Sequence, residues 1–445
     1  MLLSFRVENF MSYKDEVELS MEVGERLTKF SKSHTFNTFC GKMKTSLLKS
    51  VILMGANGSG KSNLLSALYL LKRLVVRPTK AIDDLMPSSP FKLTNETRKQ
   101  PTIFSIDFII DGVKYTYSIS YTKEKVINEK LVINNGSIEN VYFDRDELGF
   151  RSDAEELTNS YSKIRKNKLV LYEGMEINDS VCKKVYTWFS KKLVIFSQNN
   201  DDQELLLKRV IEDPGKKKAF LEIMKFADFN IIDFEVRESV FEFPKGFIEL
   251  FERLSENNID RKLEKSVTNT DFYTIYKEYD AGGNVTGKAS IHYRNESSGT
   301  QKLMMLGAMI IESVDSDSVI IMDEFDDAFH VDLSKAILRM INSEGNSNQF
   351  VLSSHTIDLM DCDLRTDQVY LVEKDFRGVS EVYSIFDFKD SGGKIFRADI
   401  KFAKRYLSGK FGAIPNINAD GLISYLKESA SLKENPNLKE DIIDG

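Results

Sequence analysis

Residues 55–62 read Gly-Ala-Asn-Gly-Ser-Gly-Lys-Ser and match the phosphate-binding pattern GxxxxGK[ST] without a gap. An apolar stretch at 51–54 precedes them, and apolar residues at helical spacing follow over 63–76. This order predicts a buried strand, a glycine-rich loop and a helix, in which backbone amides converge on the phosphates of a nucleotide. Lys61 then reaches the same oxygens and the Ser62 hydroxyl coordinates Mg²⁺. The stretch therefore predicts a nucleoside triphosphate site in an α/β fold.

A second signal lies at residues 318–324, which read Ser-Val-Ile-Ile-Met-Asp-Glu. The apolar run is typical of a buried parallel strand, and such a strand delivers Asp323 to the crevice at its carboxyl end. There Asp323 can hold Mg²⁺ through water, and Glu324 can polarise the attacking water. Asp326 and Asp327 follow closely and are interpreted equally well as capping, interface or catalytic residues.

A third signal lies at residues 296–302, Glu-Ser-Ser-Gly-Thr-Gln-Lys, ahead of a helix predicted over residues 299–313. One interpretation is an ordinary helix start with Ser298 as its N-cap. The other is that the free amides and the positive dipole end beside Ser298 and Gly299 complete a phosphate site. The position shortly before the acidic strand favours the second interpretation.

Strand patterns dominate the first third of the chain. Residues 1–23 alternate apolar and polar positions in two bursts, which predicts an antiparallel hairpin. Asp111-Gly112 separates two further alternating runs, at 102–110 and 114–121, and this dipeptide is a strong hairpin signal. The pattern predicts a strand-rich first lobe.

Helical patterns become common in the middle of the chain, and strands and helices alternate towards its end. Candidate helices fall at residues 205–211, 217–229 and 247–254. The later alternation predicts a doubly wound α/β unit, with strands at 319–322, 349–353 and 368–372 and a helix at 333–341.

These patterns divide the chain into four parts. We expect a strand-rich N-terminal ATPase lobe with the P-loop at residues 1–145 and a long helical and mixed insertion that makes oligomer or partner contacts at 146–290. An α/β C-terminal ATPase lobe follows at 291–430, and a tail at 431–445.

Composition narrows the function. The 445 residues are 42% hydrophobic and 29% charged, with a net charge of −7, which is typical of a soluble globular protein. No apolar run is long enough to cross a bilayer, and Arg6 and Glu8 interrupt the apolar core that a secretory peptide needs, so we expect a cytoplasmic protein. Basic clusters at residues 216–218, 261–265 and 401–410 lie near acids, which favours solvated faces over a nucleic-acid groove.

Cysteine and histidine patterns exclude two kinds of metal site. The three cysteines are scattered, and the four histidines show no paired spacing, so neither a disulfide framework nor a zinc site has support. Any metal ion is expected to be held by oxygen ligands.

Taken together, the P-loop, the SxGxQ element at 297–301, the acidic strand and Ser354-His355 resemble the ABC-type ATPase heads of the SMC and RecF class. Within that class, residues 5–21, 323–333 and 405–417 look like the AAA ATPases of bacterial abortive infection and phage defence, including AbiL-like and PARIS-like ATPase subunits. The resemblance covers roughly residues 1–76 and 290–417.

The resemblance implies ATP and Mg²⁺ as ligands and a role for each matching residue. Glu324 is the base or the residue that orients the attacking water, Lys61 contacts the β- and γ-phosphates, and His355 is the switch histidine that contacts the γ-phosphate. Ser298 and Gly299 act as signature residues on the ATP of a second subunit, so a head-to-tail homodimer or higher homo-oligomer follows. The metal ligands are Ser62, Asp323 and Gln198, the last as a Q-loop glutamine. The expected phosphate-binding residues are Gly55, Ala56, Asn57, Gly58, Ser59, Gly60, Lys61, Ser62 and Asn63.

Three functions compete. The first is an ATPase sensor or scaffold of anti-phage defence that controls a separate toxic effector, such as a Toprim-like nuclease, with DNA or a phage protein as trigger. The second is a DNA-clamping genome-maintenance ATPase of the RecF or SMC type. The third, a transporter subunit, is weakest because far more sequence separates Lys61 from Asp323 than in transporter ATPases. No sustained heptad repeat supports a long coiled-coil arm.

Overall fold

The computed structural model describes residues 1–24, 37–40, 46–136, 138–196, 202–227, 230–242, 266–314, 316–388, 402–408, 420–421 and 423–425. Its strands are β1 (Leu2–Glu8), β2 (Val17–Ser20), β3 (Thr38–Cys40), β4 (Ser46–Leu48), β5 (Ser50–Met54), β6 (Thr102–Ile110), β7 (Val113–Tyr121), β8 (Val126–Asn134), β9 (Glu139–Asp146), β10 (Gly149–Ser152), β11 (Leu193–Phe196), β12 (Asp233–Glu242), β13 (Ser266–Tyr279), β14 (Val285–His292), β15 (Val319–Met322), β16 (Gln349–Ser354), β17 (Val369–Lys374) and β18 (Ser380–Ser384). Its α-helices are α1 (Lys61–Val76), α2 (Glu155–Ser160), α3 (Val170–Glu176), α4 (Ser180–Thr187), α5 (Asp202–Glu212), α6 (Pro214–Phe226), α7 (Ser298–Glu312), α8 (Val331–Ile341) and α9 (Phe402–Leu407).

An antiparallel sheet of seven strands forms the first lobe, in the order β10-β9-β8-β7-β6-β1-β2. The predicted hairpins are confirmed: β1 pairs with β2, and β6 pairs with β7. Asp111 and Gly112 both have positive φ, 51° and 81°, which is the turn conformation that matches the twist of two paired strands.

A second sheet of six strands has the order β11-β15-β16-β5-β17-β18, parallel except for β18. Alternate residues of β5 enter different buried clusters, because successive side chains of a strand point to opposite faces. Val51 and Leu53 share a cluster with α1, whereas Ile52 and Met54 share one with α7 and α8. Helices therefore cover both faces, and the doubly wound α/β prediction is confirmed.

Distant parts of the chain build this second sheet. The P-loop strand β5 lies between β16 and β17, and β11, from the predicted insertion, pairs with β15. The buried side-chain amide of Gln349, in β16, joins the second sheet to the first sheet. It accepts from the Leu2 N–H at 2.6 Å and donates to the Leu2 carbonyl at 3.0 Å. The sheet that carries the P-loop strand is thus hydrogen-bonded to the first sheet.

The middle of the chain adds a smaller unit. Strands β12, β13 and β14 form a three-stranded sheet, and α5 and α6 pack against α7. The predicted helix at 205–211 is longer in the structure, and the one at 217–229 begins earlier and ends at Phe226. The predicted helix at 247–254 lies outside the described residues. Lys216 and Lys217 pair with Glu312 and Asp233, both at 2.7 Å, as expected of a solvated face.

Two predicted helix starts need correction. Helix α7 begins at Ser298, and its N-cap is Ser297, whose side chain accepts from the Thr300 N–H at 3.1 Å, so the assignment of Ser298 as the cap was wrong. Helix α8 begins at Val331, ahead of the predicted start. In the part of the chain that the structure describes, no helix combines the length and the apolar surface needed to span a bilayer.

Candidate nucleotide site

The P-loop is shaped by glycines whose surroundings leave no room for a side chain. Gly60, at φ 121°, would place a Cβ 2.5 Å from the Ser380 Oγ and 3.0 Å from the Ser12 Oγ. Gly55, at φ 153°, would place one 2.2 Å from the Val372 carbonyl oxygen. Both positive φ values lie where side chains are strained, so these positions require glycine.

Neighbouring elements support the loop through hydrogen bonds. The Tyr13 hydroxyl donates to the Gly60 carbonyl at 2.9 Å, and the Asn63 amide donates to the Ser12 Oγ at 2.7 Å. The Ser380 hydroxyl donates to the Ser59 carbonyl at 2.6 Å. The first hairpin and β18 therefore fix the loop from two sides, a role that the sequence pattern did not reveal.

Lys61 folds back over the loop that precedes it. Its Nζ donates to the Gly55 carbonyl at 2.7 Å and to the Ala56 carbonyl at 3.0 Å. Burial lowers the pKa of this ammonium, and the negative charges of Asp323 and Glu324 oppose the shift. The cation is thus held beside the loop amides, near the acidic strand end.

The start of α1 suits a phosphate group. Gly60 is its N-cap and supplies no side-chain acceptor, so the first-turn amides keep their hydrogen-bonding capacity. The buried Ser59 hydroxyl has no partner among the described residues, and Asn57 and Gly58 are exposed at the loop tip. The first-turn amides and the Ser59 hydroxyl can therefore donate hydrogen bonds to an anion, and the Lys61 ammonium beside them supplies positive charge.

The acidic strand end is anchored by the neighbouring strand. The Ser353 hydroxyl, at the end of β16, donates to the Asp323 Oδ1 and accepts from the Glu324 N–H at 2.7 Å. Glu324 has φ 45°, the left-handed region that a glutamate seldom adopts. Ser353 therefore fixes both the Asp323 carboxylate and the turn that carries Glu324.

A buried lysine of α7 holds the same turn from the other side. The Lys302 Nζ donates to the Glu324 carbonyl and, at 3.2 Å, to the Asp327 carbonyl. Burial lowers the pKa of Lys302, opposed by the nearby acids. Asp326 is buried and accepts from the Ser354 hydroxyl at 2.7 Å, whereas Asp327 is exposed.

The two motifs meet in one cleft of about 380 Å³. Ser62 lies at the start of α1, and Asp323 and Glu324 lie at the end of β15. Hydroxyl and carboxylate oxygens are the ligands that Mg²⁺ prefers, so this end of the cleft fits the ion. The cleft is lined by Ser62, Leu65, Ser66, Tyr69, Ile195, Phe196, Ile321, Asp323 and Glu324.

Other predicted site residues stand apart from this cleft. Ser298 is exposed at the start of α7, and a Cβ on Gly299 would lie 2.7 Å from the Ala328 carbonyl oxygen. His355 is exposed after β16. None of the three lines the cleft. Gln198 lies outside the described residues, so its predicted role stays a prediction.

Sequence reasoning missed the supporting residues Ser353 and Lys302, together with Ser12, Tyr13 and Ser380. A signal existed for Ser353, because two serines directly follow the apolar run at residues 350–352. The sequence also carried a signal for Lys302, because this lysine interrupts the apolar positions of a helix and must find a polar partner when buried.

Ser353→Ala tests the anchoring of the acidic strand end. We expect a turnover number about 10-fold lower, because the Asp323 carboxylate and the Glu324 turn both lose their fixed partner. Steady-state phosphate release measures it. Ser354→Ala is the matched control: it removes a neighbouring buried hydroxyl that binds Asp326, and it should lower turnover much less. Equal loss in both variants would contradict a specific role of Ser353.

A strand, a glycine loop and a helix that face two carboxylates at the carboxyl ends of the strands of a doubly wound sheet define a P-loop nucleotide-binding fold. A family model described as "AAA domain, putative AbiEii toxin, Type IV TA system" matches residues 50–361, and the chain belongs to this family.

The chain also shows similarity to solved structures. They include the SMC head domain from Thermotoga maritima, with 13% identity, coverage of 86% of this chain and 98% of that chain, and a TM-score of 0.37. An Smc head domain with an extended coiled coil, bound to the C-terminal domain of ScpA derived from Pyrococcus furiosus, shows 13% identity, 86% and 96% coverage, and a TM-score of 0.38. No curated protein matches the sequence.

Proposed function

We propose that the protein is a Mg²⁺-dependent ATPase that serves as sensor or scaffold in an anti-phage defence system and controls a separate toxic effector. The observation that carries the ATPase part is the single cleft in which Ser62, Asp323 and Glu324 meet at the start of α1. The family description, with its toxin and toxin–antitoxin terms, supports the defence part.

Hydrolysis uses the chain's own groups as follows. The loop amides and the first turn of α1 bind the phosphates, and the Lys61 ammonium exchanges its carbonyl partners for phosphate oxygens. Ser62 and Asp323 would hold Mg²⁺, which would supply positive charge to neutralise the phosphate oxygens. Glu324 orients the attacking water and accepts its proton, and ADP and phosphate leave.

The site is completed by a second subunit. The backbone amides of Ser298 and Gly299 lie at the start of α7, Ser298 is exposed, and neither residue lines the chain's own cleft. In a head-to-tail pair these amides contact the ATP bound to the partner, and His355 contacts the γ-phosphate. Closure of the pair by ATP and its reopening by hydrolysis transmit the signal to the effector.

A mixing experiment tests the composite site. Lys61→Ala lacks a working P-loop, and Ser298→Glu places a negative charge where the signature meets ATP; we expect each alone to turn over poorly. When the two variants are combined at a 1:1 ratio, half of the pairs are mixed, and one of the two sites in each mixed pair has an intact P-loop and an intact signature. Activity should therefore return to about a quarter of the wild-type value. The measurement is phosphate release against mixing ratio.

The control for this experiment is Ser343→Glu, which places the same charge on another exposed serine. We expect Ser343→Glu to be active alone, and its phosphate release per Ser343→Glu subunit to stay the same when Lys61→Ala is added. Failure of the mixture of Lys61→Ala and Ser298→Glu to regain activity, with both proteins folded, would contradict the shared site.

The effector is sought by purifying tagged Glu324→Gln protein from its native cells in Mg-ATP. We expect a stoichiometric protein that is toxic when produced without the ATPase, identified by mass spectrometry. Recovery of DNA without such a protein would instead favour a DNA-clamping maintenance ATPase.

A further inference from the structure

Another cavity lies at the opposite end of the parallel sheet from the nucleotide cleft. It has a volume of about 660 Å³ and is bounded by the turn between β6 and β7, by α4 and by the residues just before β15. That volume is typical of small-molecule pockets, which are mostly apolar with a few placed polar groups. None of its lining residues belongs to the nucleotide cleft.

The wall of this cavity is apolar. Leu47, Ile109, Ile110 and Trp188 contribute to it, and the Trp188 ring stacks on Phe108 with centroids 4.2 Å apart. Trp188 is 3% exposed, and its indole N–H has no hydrogen-bond partner among the described residues. Such a wall favours contact with the apolar part of a ligand, because the contact removes apolar surface from water.

The rim is positively charged. Lys183, Lys184 and Lys192 lie on it with Asp111 and Asp317, so lysines outnumber aspartates among the lining side chains. Lys184 pairs with Asp111 at 3.5 Å, and Lys183 donates to the Asn178 side chain at 3.3 Å. Lys192 donates to the Ser316 carbonyl. Because that carbonyl has no net charge, the bond leaves the positive charge of Lys192 uncompensated.

The backbone around the cavity is unusual at two points. Trp188 begins a five-residue π-helix, Trp188–Lys192, a conformation that is rare and concentrated at functional sites. Asp317 has φ 51°, the left-handed region. These segments run directly into β11 and β15, whose far ends reach the nucleotide cleft at Phe196 and Asp323.

We propose that this cavity is a binding site for a small amphipathic anion: an apolar body against Trp188 and a carboxylate, sulfonate or phosphate head among Lys183, Lys184 and Lys192. It is a ligand site separate from the nucleotide site, and its binding is independent of ATP hydrolysis.

The single tryptophan of the chain makes the site directly observable. The probe is anilinonaphthalene sulfonate, an aromatic anion that accepts excitation energy from tryptophan. We expect saturable energy transfer from Trp188 in the full-length protein without nucleotide, and displacement of the probe by decanoate but not by decyltrimethylammonium, which has the same apolar chain and the opposite charge.

The decisive variant is Lys183→Glu with Lys184→Glu. Both lysines are exposed, so the fold should tolerate the change, and the affinity for the probe should fall about 10-fold or more. The matched control is Lys123→Glu with Lys125→Glu, an equal change of charge on exposed lysines outside the cavity, which should leave the affinity unchanged. Equal affinity of both double variants, or equal displacement by the two decyl compounds, would overturn the proposal.

Discussion

Glu324→Gln should lower the turnover number for ATP by about 100- to 1000-fold, as expected for the loss of a general base. The amide keeps the shape of the side chain and the backbone turn, but it cannot accept the proton of the attacking water. Affinity for ATP should stay close to wild type, because the phosphate-binding groups of the loop and α1 are unchanged. Single-turnover phosphate release and the fluorescence of a labelled ATP analogue separate the two quantities.

The matched control for this variant is Glu124→Gln, which makes the same change at an exposed glutamate that pairs with Lys123 at 3.7 Å. It should behave as wild type. Unaltered turnover in Glu324→Gln would exclude Glu324 as the base, whereas loss of ATP affinity in the same variant would show that the turn itself had collapsed.

Lys61→Ala should weaken ATP binding by about 100-fold, the cost of losing charge-assisted hydrogen bonds to phosphate. The fold should remain stable, because burial already disfavours the charged form of this lysine and its removal relieves that cost. Saturating Mg-ATP should therefore raise the melting temperature of the wild type and leave that of the variant nearly unchanged. Differential scanning calorimetry measures both effects.

Lys80→Ala is the control, since it removes an exposed lysine beyond the end of α1. Its ATP-dependent rise in melting temperature should equal that of the wild type. A normal rise in Lys61→Ala would contradict the assignment of the nucleotide site.

The sequence was most informative where a local pattern dictates a local structure. The P-loop residues, the β15 strand and the turn at Asp111-Gly112 were all predictable, because each depends on residues within a few positions of one another. The doubly wound arrangement followed from alternating strands and helices.

Long-range partners could not be predicted in this way. Ser353 contacts Asp323 only because β16 and β15 pair in register, with Leu352 opposite Met322. Lys302 reaches the Glu324 turn from a helix that packs over the sheet. The N-cap of α7 could not be predicted either, because Ser297 and Ser298 are adjacent and chemically identical. The extended backbone conformation at Ser297, with ψ 151°, makes that residue the cap.

The position of β5 between β16 and β17 has a consequence for biosynthesis. The P-loop leaves the ribosome early, but the strands on both sides of it are translated some three hundred residues later. Contacts this distant in sequence form late in folding. A nascent or prematurely terminated chain therefore carries the full phosphate-binding motif without the frame that shapes it, so the ability to capture nucleotide arises only when synthesis has passed β17.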